Sequence, residues 1–344
     1  MNEIDKNEYY LKIPSGYKTE IDGCFLEPII YQPTPKGAEI IADYYNDKYD
    51  LSISVIDHSQ NVPKGSDLKA RFQEFTNTVK NLTLEPDKPK GFILMHGQNH
   101  SVPVIMSKET QDDGSTKDFM IIFDSTSGSR IKGYHPIANM YPEQQLLLNN
   151  GTRQADGQSC ITDSPAILKD ALRIEKLGTK LLERSFNYDE YSAQKREKEG
   201  KPPNRFQSTP VKNDNFLVFE MPSSLCKTAQ ISRFLEKNNA DLESPIISDK
   251  SEAISLGLKR QSSQSTVSFI KTSESDKETF TDKMLGINRY LHKKSKRHAE
   301  IIDKKLLEMK IEQSEVTTPE EKNWSTKFTK KSNERNEDKG MSII

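Results

Sequence analysis

The chain has 344 residues, of which 33% are apolar and 29% charged, with a mean hydropathy of −0.77. Its 50 basic and 51 acidic residues leave a net charge of −1, so no global field recruits nucleic acid or an anionic membrane. A composition this polar also implies that part of the chain lies outside any core.

No run approaches the roughly 18 apolar residues of a membrane span. The acidic opening "MNEIDKNEYYLKIPSG" lacks the apolar centre of a signal peptide, so a soluble protein is expected. Cys24, Cys160 and Cys226 are widely spaced and odd in number, which fits a reducing compartment better than a disulfide framework. His96 and His100 stand at HxxxH spacing in "HGQNH", but no flanking acid or cysteine completes a metal site, and no metal is expected.

In chain order, "PKGAEIIADYYNDKYDLSISVI" predicts a helix around Ala38 to Asn46, then a turn and a short strand at Leu51 to Ile56. "SDLKARFQEFTNTVKNL" predicts a helix, with Ser66 as cap and Leu68, Phe72, Phe75 and Val79 at helical spacing. "GFILMHG", "HSVPVIMS" and "FMIIFD" read as a meander of strands, with Pro103 making its strand an edge or a bulged one. "SPAILKDALRIEKLGTKLLERSF", from Ser164, reads as one helix with a Ser-Pro start.

Residues 188–213, charged and proline-bearing, read as a flexible surface loop, and 240–282 and 313–344 as disordered. Between these polar segments, "INRYLHKKSKRHAEIIDKKLLEMK" predicts a long helix with Ile287, Leu291, Ile301, Ile302 and Leu306 as its apolar set. No internal repeat is present.

The chemistry-bearing residues are His100, Asp124, Gln154 and Cys160, in that order. A cysteine attacks as thiolate, which near neutral pH requires a neighbouring imidazole, a helix N-terminus, or both. The imidazole in turn needs an orienting group, and Asp124 closes a buried strand next to one begun by His100. Gln154, six residues before the cysteine, is placed to donate an amide to an oxyanion. Each residue also has an ordinary reading: a strand-edge histidine, a turn aspartate, a solvated glutamine, a small buried thiol.

The order His, acid, Gln, Cys, with glutamine six before cysteine, resembles the YopJ family of bacterial effector acetyltransferases. "GFILMHGQNHSVPVIM" resembles the family's catalytic-histidine segment, which selects His100 over His96. "FLVFEMPSSLCKTAQISRFLEK" is similar to a segment holding an autoacetylated lysine, matched here by Lys227. "HKKSKRHAEII" resembles a basic helix that binds inositol hexakisphosphate, with Lys293, Lys294, Lys296 and Arg297 as candidates. Taken alone, that basic run and Lys227 read as solvated helix faces.

The resemblance implies an α+β fold: a papain-like, SUMO-protease-like (clan CE) catalytic core with a helical, basic regulatory part. The expected division is an N-terminal segment 1–35, partly disordered, a catalytic core 36–187, and a regulatory part from 214–239 plus 283–312. It further implies ping-pong transfer from acetyl-CoA through acetyl-Cys160 to a serine, threonine or lysine of a host protein such as a kinase. His100 would act as base, Asp124 as its orienting acid and Gln154 in the oxyanion hole, with inositol hexakisphosphate as activator. Delivery into the host cytoplasm by a type III or type IV system would follow. Two alternatives stand beside this reading: a ubiquitin- or SUMO-like cysteine peptidase on the same scaffold, and a catalytically weak effector that acts by binding a host target. The tail "EVTTPEEKNWSTKFTKKSNERNEDKG" reads equally as an export signal or a disordered end.

This chain departs from the family pattern after the cysteine, where Ile161 replaces a glycine and Pro165 follows closely in "SCITDSPA". Proline sits comfortably only in a helix's first turn, so the helix is expected to begin near Ser164 or to be distorted. Either outcome would weaken the helix-dipole contribution at Cys160. The acid is Asp124 where glutamate is frequent, which shortens its reach to His100.

Overall fold

The structure, a computed structural model, describes residues 5–15, 17–21, 24–58, 68–96, 100–126, 131–155, 158–198, 215–248, 253–271, 279–280 and 285–316. Four short strands open the chain: β1 (Tyr10–Pro14), β2 (Tyr17–Ile21), β3 (Cys24–Leu26) and β4 (Ile29–Pro33). Helix α1 (Pro35–Tyr49) follows, its start set by Thr34, whose hydroxyl accepts from Gly37 N, and by proline in the first turn. Then come β5 (Ile53–Asp57), α2 (Leu68–Val79), β6 (Lys90–His96), β7 (His100–Thr110) and β8 (Thr116–Ile122). The short α3 (His135–Ala138) leads to β9 (Gln145–Asn149), α4 (Cys160–Ala171), α5 (Leu177–Leu182), β10 (Ser185–Phe186) and α6 (Tyr188–Lys198). The remainder comprises β11 (Phe216–Phe219), α7 (Ser232–Lys237), α8 (Leu256–Gln261), β12 (Gln264–Lys271), β13 (Thr279–Phe280), β14 (Leu285–Asn288) and α9 (Tyr290–Val316).

Seven strands form the central sheet in the order β10-β11-β9-β8-β7-β6-β5. It is mixed: β5·β6, β8·β9 and β9·β11 are parallel, whereas β6·β7, β7·β8 and β10·β11 are antiparallel. Alternation along each strand separates two cores. Ile93, Ile105, Ile121 and Leu147 face one way, onto a cluster with Ile41 and Tyr45 of α1, Ile161 and Leu168 of α4, and Ile302 of α9. Phe92, Val104, Met120 and Leu146 face the other way, onto Phe72, Phe75 and Val79 of α2 and onto Tyr134. β1 pairs with β4, and β2, β3, β12, β13 and β14 form a second sheet. No described helix is long and apolar enough to cross a membrane.

Pro103 does not lie on an edge. β7 pairs on both sides, with Ile93 of β6 opposite Pro103. The proline stands one step beyond the register with β8: its carbonyl accepts from Phe123 N at 3.0 Å, while the reciprocal donor is missing because proline has no N–H. The Phe123 carbonyl is thereby left for another donor.

The single helix expected from Ser164 is two. α4 ends at Ala171, Lys176 adopts a left-handed conformation (φ 47°), and α5 restarts at Leu177. Buried Glu109 of β7 caps that restart, accepting from Gly178 N, Thr179 N and Thr179 Oγ1 at 2.7–2.9 Å. The charged segment expected as loop carries α6 over Tyr188–Lys198; its remainder to 213 lies outside the described residues. α8 and β12 occupy part of the region expected to be disordered, and 317–344 lies outside the described residues. Ile287 belongs to β14 rather than to the last helix, where Leu291, Ile302 and Leu306 are buried.

Candidate active site

His100 is the first residue of β7, Asp124 lies two residues past β8, and Cys160 is the first residue of α4. The sheet brings the first two together: His100 Nε2 stands 3.5 Å from Asp124 Oδ1. That separation is the outer limit of a hydrogen bond, and its strength comes mainly from charge. Cys160 is tied to the same strand by the hydroxyls of Ser101 and Ser164, and it is among the groups that raise the His100 imidazole.

Asp124 is fully buried, and its oxygens are held from several sides. Oδ1 accepts from Thr126 N (2.8 Å) and Thr126 Oγ1 (2.9 Å), and Oδ2 from the Tyr134 hydroxyl (2.8 Å). Burial alone would push this carboxyl up, but His100 and these donors hold it well below the usual carboxylate range. Burial likewise pushes the His100 imidazole down. Hydrogen bonds to Asp124 and Cys160 and the charges on both outweigh burial and raise it to about 9.

α4 begins at Cys160 despite the proline, which sits in its second turn. Pro165 leaves the Ile161 carbonyl without its helical donor. Just ahead of that gap, Ser164 Oγ donates to the Cys160 carbonyl (3.0 Å) and accepts from Ser101 Oγ (2.7 Å). The expected displacement of the helix start is therefore corrected: the nucleophile candidate occupies the first turn, where backbone N–H groups point outward. The two serine hydroxyls also tie the histidine strand to the cysteine helix.

Gln154 stands at the same helix start. Its partners orient the amide: the oxygen accepts from Ser159 N (3.1 Å) and from Cys160 N, and the nitrogen donates to Ser125 Oγ (2.5 Å). The glutamine thus contributes its carbonyl to the Cys160 amide rather than an amide N–H to an oxyanion. Gln230, fully buried, holds the same loop through Ala155 N (2.6 Å) and Ser159 Oγ (3.2 Å).

All twelve residues of α4 are buried, charged ones included, so their charges require partners. Asp163 is met by Arg153 Nη2 at 2.6 Å, and Asp170 by Lys169 at 3.1 Å and Lys227 at 2.7 Å. Lys227 is therefore not an exposed helix lysine: it lies in a 3-10 turn (Ser223–Thr228), 3% exposed, and also donates to the Ile247 carbonyl (2.6 Å).

The four basic candidates of α9 diverge. Lys293 donates to the Ser262 carbonyl (2.8 Å), Lys294 lies 5.2 Å from the Tyr45 ring, and Lys296 is exposed. Arg297 lines a groove of about 680 Å³ that also carries Asp43 and Asp47 of α1. The sequence reading missed cations from other elements. Lys48, Lys169 and Arg173 lie 5.0–5.3 Å from the Tyr49 ring, and Lys259 lies 5.3 Å from that of Tyr290. It also missed Arg153, Asp163, Tyr134 and Gln230, none of which carries a local motif.

No family model and no curated protein matches the chain. Among solved structures, a deletion variant of AvrA with IP6 and CoA is similar over 76% of this chain and 85% of its own, at 16% identity and a TM-score of 0.42. HopZ1a in complex with IP6 and CoA is similar over 78% of this chain and 84% of its own, at 9% identity and a TM-score of 0.46.

Proposed function

We propose that the chain is a cysteine acyltransferase of the YopJ type, with Cys160 as nucleophile, His100 as base and Asp124 as the group that orients and charges the base. The observation that carries this reading is the convergence of three elements: a buried, multiply hydrogen-bonded aspartate 3.5 Å from His100 at the start of β7, and Cys160 in the first turn of the helix that Ser101 and Ser164 tie to that strand. With the Cys160 proton resting on His100, whose midpoint lies at about 9, the sulfur attacks the thioester carbonyl of acetyl-CoA. The tetrahedral intermediate collapses with CoA leaving as its thiol, protonated from His100. An acceptor hydroxyl or amine then gives its proton to His100 and attacks acetyl-Cys160, which restores the thiol. The Cys160 N–H serves the oxyanion once the Gln154 carbonyl gives way.

A polyanionic activator, inositol hexakisphosphate in this reading, is supported by cations of four elements set against the rings of Tyr45, Tyr49 and Tyr290. Lys48 comes from α1, Lys169 from α4, Lys259 from α8 and Lys294 from α9. A ligand that binds only the ordered arrangement stabilises it by mass action. The host protein acceptor, such as a kinase, and delivery by a type III or type IV system rest on the sequence resemblance.

Radiolabelled acetyl-CoA incubated with the full chain, with and without inositol hexakisphosphate, tests the proposal. Label on Cys160 that the activator enhances, and that Cys160→Ala removes, supports it. Cleavage of a ubiquitin or SUMO fluorogenic substrate without label transfer would make the chain a peptidase. Silence in both assays with intact target binding would make it a binding effector.

A further inference from the structure

We infer that Arg153 is a positioning residue: its side chain sets the distance between the strand end that carries Asp124 and the helix that carries Cys160. This rests on the assignment of those residues to the reaction proposed above. Arg153 is fully buried, and its guanidinium reaches three separate elements. Nη2 donates to the Phe123 carbonyl (2.7 Å), immediately before Asp124, and pairs with Asp163 Oδ2 (2.6 Å), one turn beyond Cys160. Nη1 donates to Asp163 Oδ1 (3.2 Å) and to Thr228 Oγ1 (3.0 Å).

Two features mark this bridge as built rather than incidental. The Phe123 carbonyl is open to the guanidinium because residue 103, its ladder partner, is proline. A buried ion pair is weak evidence for stability, since well-packed apolar residues of similar volume often replace one without loss, so its geometry is the property to explain. A planar, forked cation can hold a carbonyl, a carboxylate and a hydroxyl in one fixed arrangement, whereas an ammonium on a flexible stem cannot. The loop keeps its own anchors when the side chain changes, because Arg153 N donates to Ser125 O (2.9 Å) and Arg153 O accepts from Gln230 N (2.8 Å).

The test uses the full chain and two readouts independent of acetyl transfer: the rate of Cys160 alkylation by iodoacetamide, followed by peptide mass spectrometry, and the His100 titration midpoint by NMR. Arg153→Met leaves Asp163 buried and unpaired and is expected to lower thermal stability. The charge-balanced pair Arg153→Met with Asp163→Leu is expected to recover that stability. In the pair, Cys160 alkylation at pH 7 is expected to stay at least tenfold below the parent chain, with the His100 midpoint displaced downward from about 9. A stable double variant with parental alkylation and titration would overturn the positioning role alone. A parent chain whose Cys160 reacts no faster than a free cysteine would overturn the catalytic reading and the positioning role together.

Discussion

Lys227 Nζ lies 2.7 Å from Asp170 Oδ2, with both side chains almost wholly buried, so the lysine offered by the sequence resemblance as an acetylation candidate is held in an internal ion pair. The pair joins the 3-10 turn after β11 to the last turn of α4. Removing Lys227 leaves Asp170 its second partner, Lys169 at 3.1 Å, so the loss is that of one charge-assisted hydrogen bond, about 1.5–3 kcal/mol. Lys227→Ala is expected to lower the unfolding free energy by that amount in urea titration. In the folded chain, an amine-reactive ester should label exposed Lys296 well before Lys227.

Asp124→Asn keeps the shape of the acid and removes its charge. Neutralising the orienting acid of a comparable triad lowers turnover by about four orders of magnitude. A drop of about 10³-fold or more in acetylation rate is expected here, with the variant still folded by circular dichroism. Tyr134→Phe removes one of the donors that hold the Asp124 carboxyl down and leaves the others. Its expected effect is smaller, about tenfold, with the Asp124 carboxyl moved up toward the usual carboxylate range.

The raised His100 midpoint makes stability depend on pH. The folded value, about 9, exceeds the ordinary 6.5, so the imidazolium contributes stability that is fully present below pH 6.5 and is lost as pH rises through 9. The shift corresponds to roughly 3 kcal/mol. Comparing the parent chain with His100→Ala by urea unfolding should give the largest difference at pH 6 and a gap narrowed by roughly that amount at pH 10.

The serine pair makes a smaller claim. Ser101 Oγ and Ser164 Oγ connect β7 to the first turn of α4 beside the proline. Ser164→Ala leaves the Ser101 hydroxyl buried without this partner and should lower stability by about 1–3 kcal/mol. Replacing both serines with alanine should lower it less than the sum of the single changes, because the interaction is then absent rather than broken. Thermal unfolding of the three variants checks the sign of that coupling.

A cation shell assembled from several helices predicts graded rather than single-residue loss of polyanion binding. Lys294→Ala should weaken inositol hexakisphosphate binding by calorimetry, and adding Lys169→Met should weaken it further, with a reduced salt dependence in each case. Binding unchanged in the double variant would remove this shell from the proposed site.

Much of the scaffold was legible from local periodicity. α1, α2 and the strands around "FILM" and "FMIIF" follow from apolar spacing, because burial on one face imposes a period of 3.6 or 2 wherever an element packs. The polar stretches misled where α6, α8 and β12 form, since a low apolar count limits burial without forbidding a local helix or a paired strand. Pro165 misled in another way: helical context tolerates a lost hydrogen bond when the rest of the helix is buried all round.

By itself the sequence determined which residue types carry the chemistry: a histidine at a strand start, an acid at a strand end and a cysteine near a helix. It also determined the charge on the last helix, because composition and periodicity are local properties. Only the tertiary structure decided that Gln154 meets the Cys160 amide through its oxygen, that Lys227 is sealed against Asp170, and that Arg153 spans Phe123, Asp163 and Thr228. Those outcomes depend on partners six to seventy-five residues away along the chain, brought together by sheet order and helix packing, and a buried polar group takes its character from whichever partners the fold supplies.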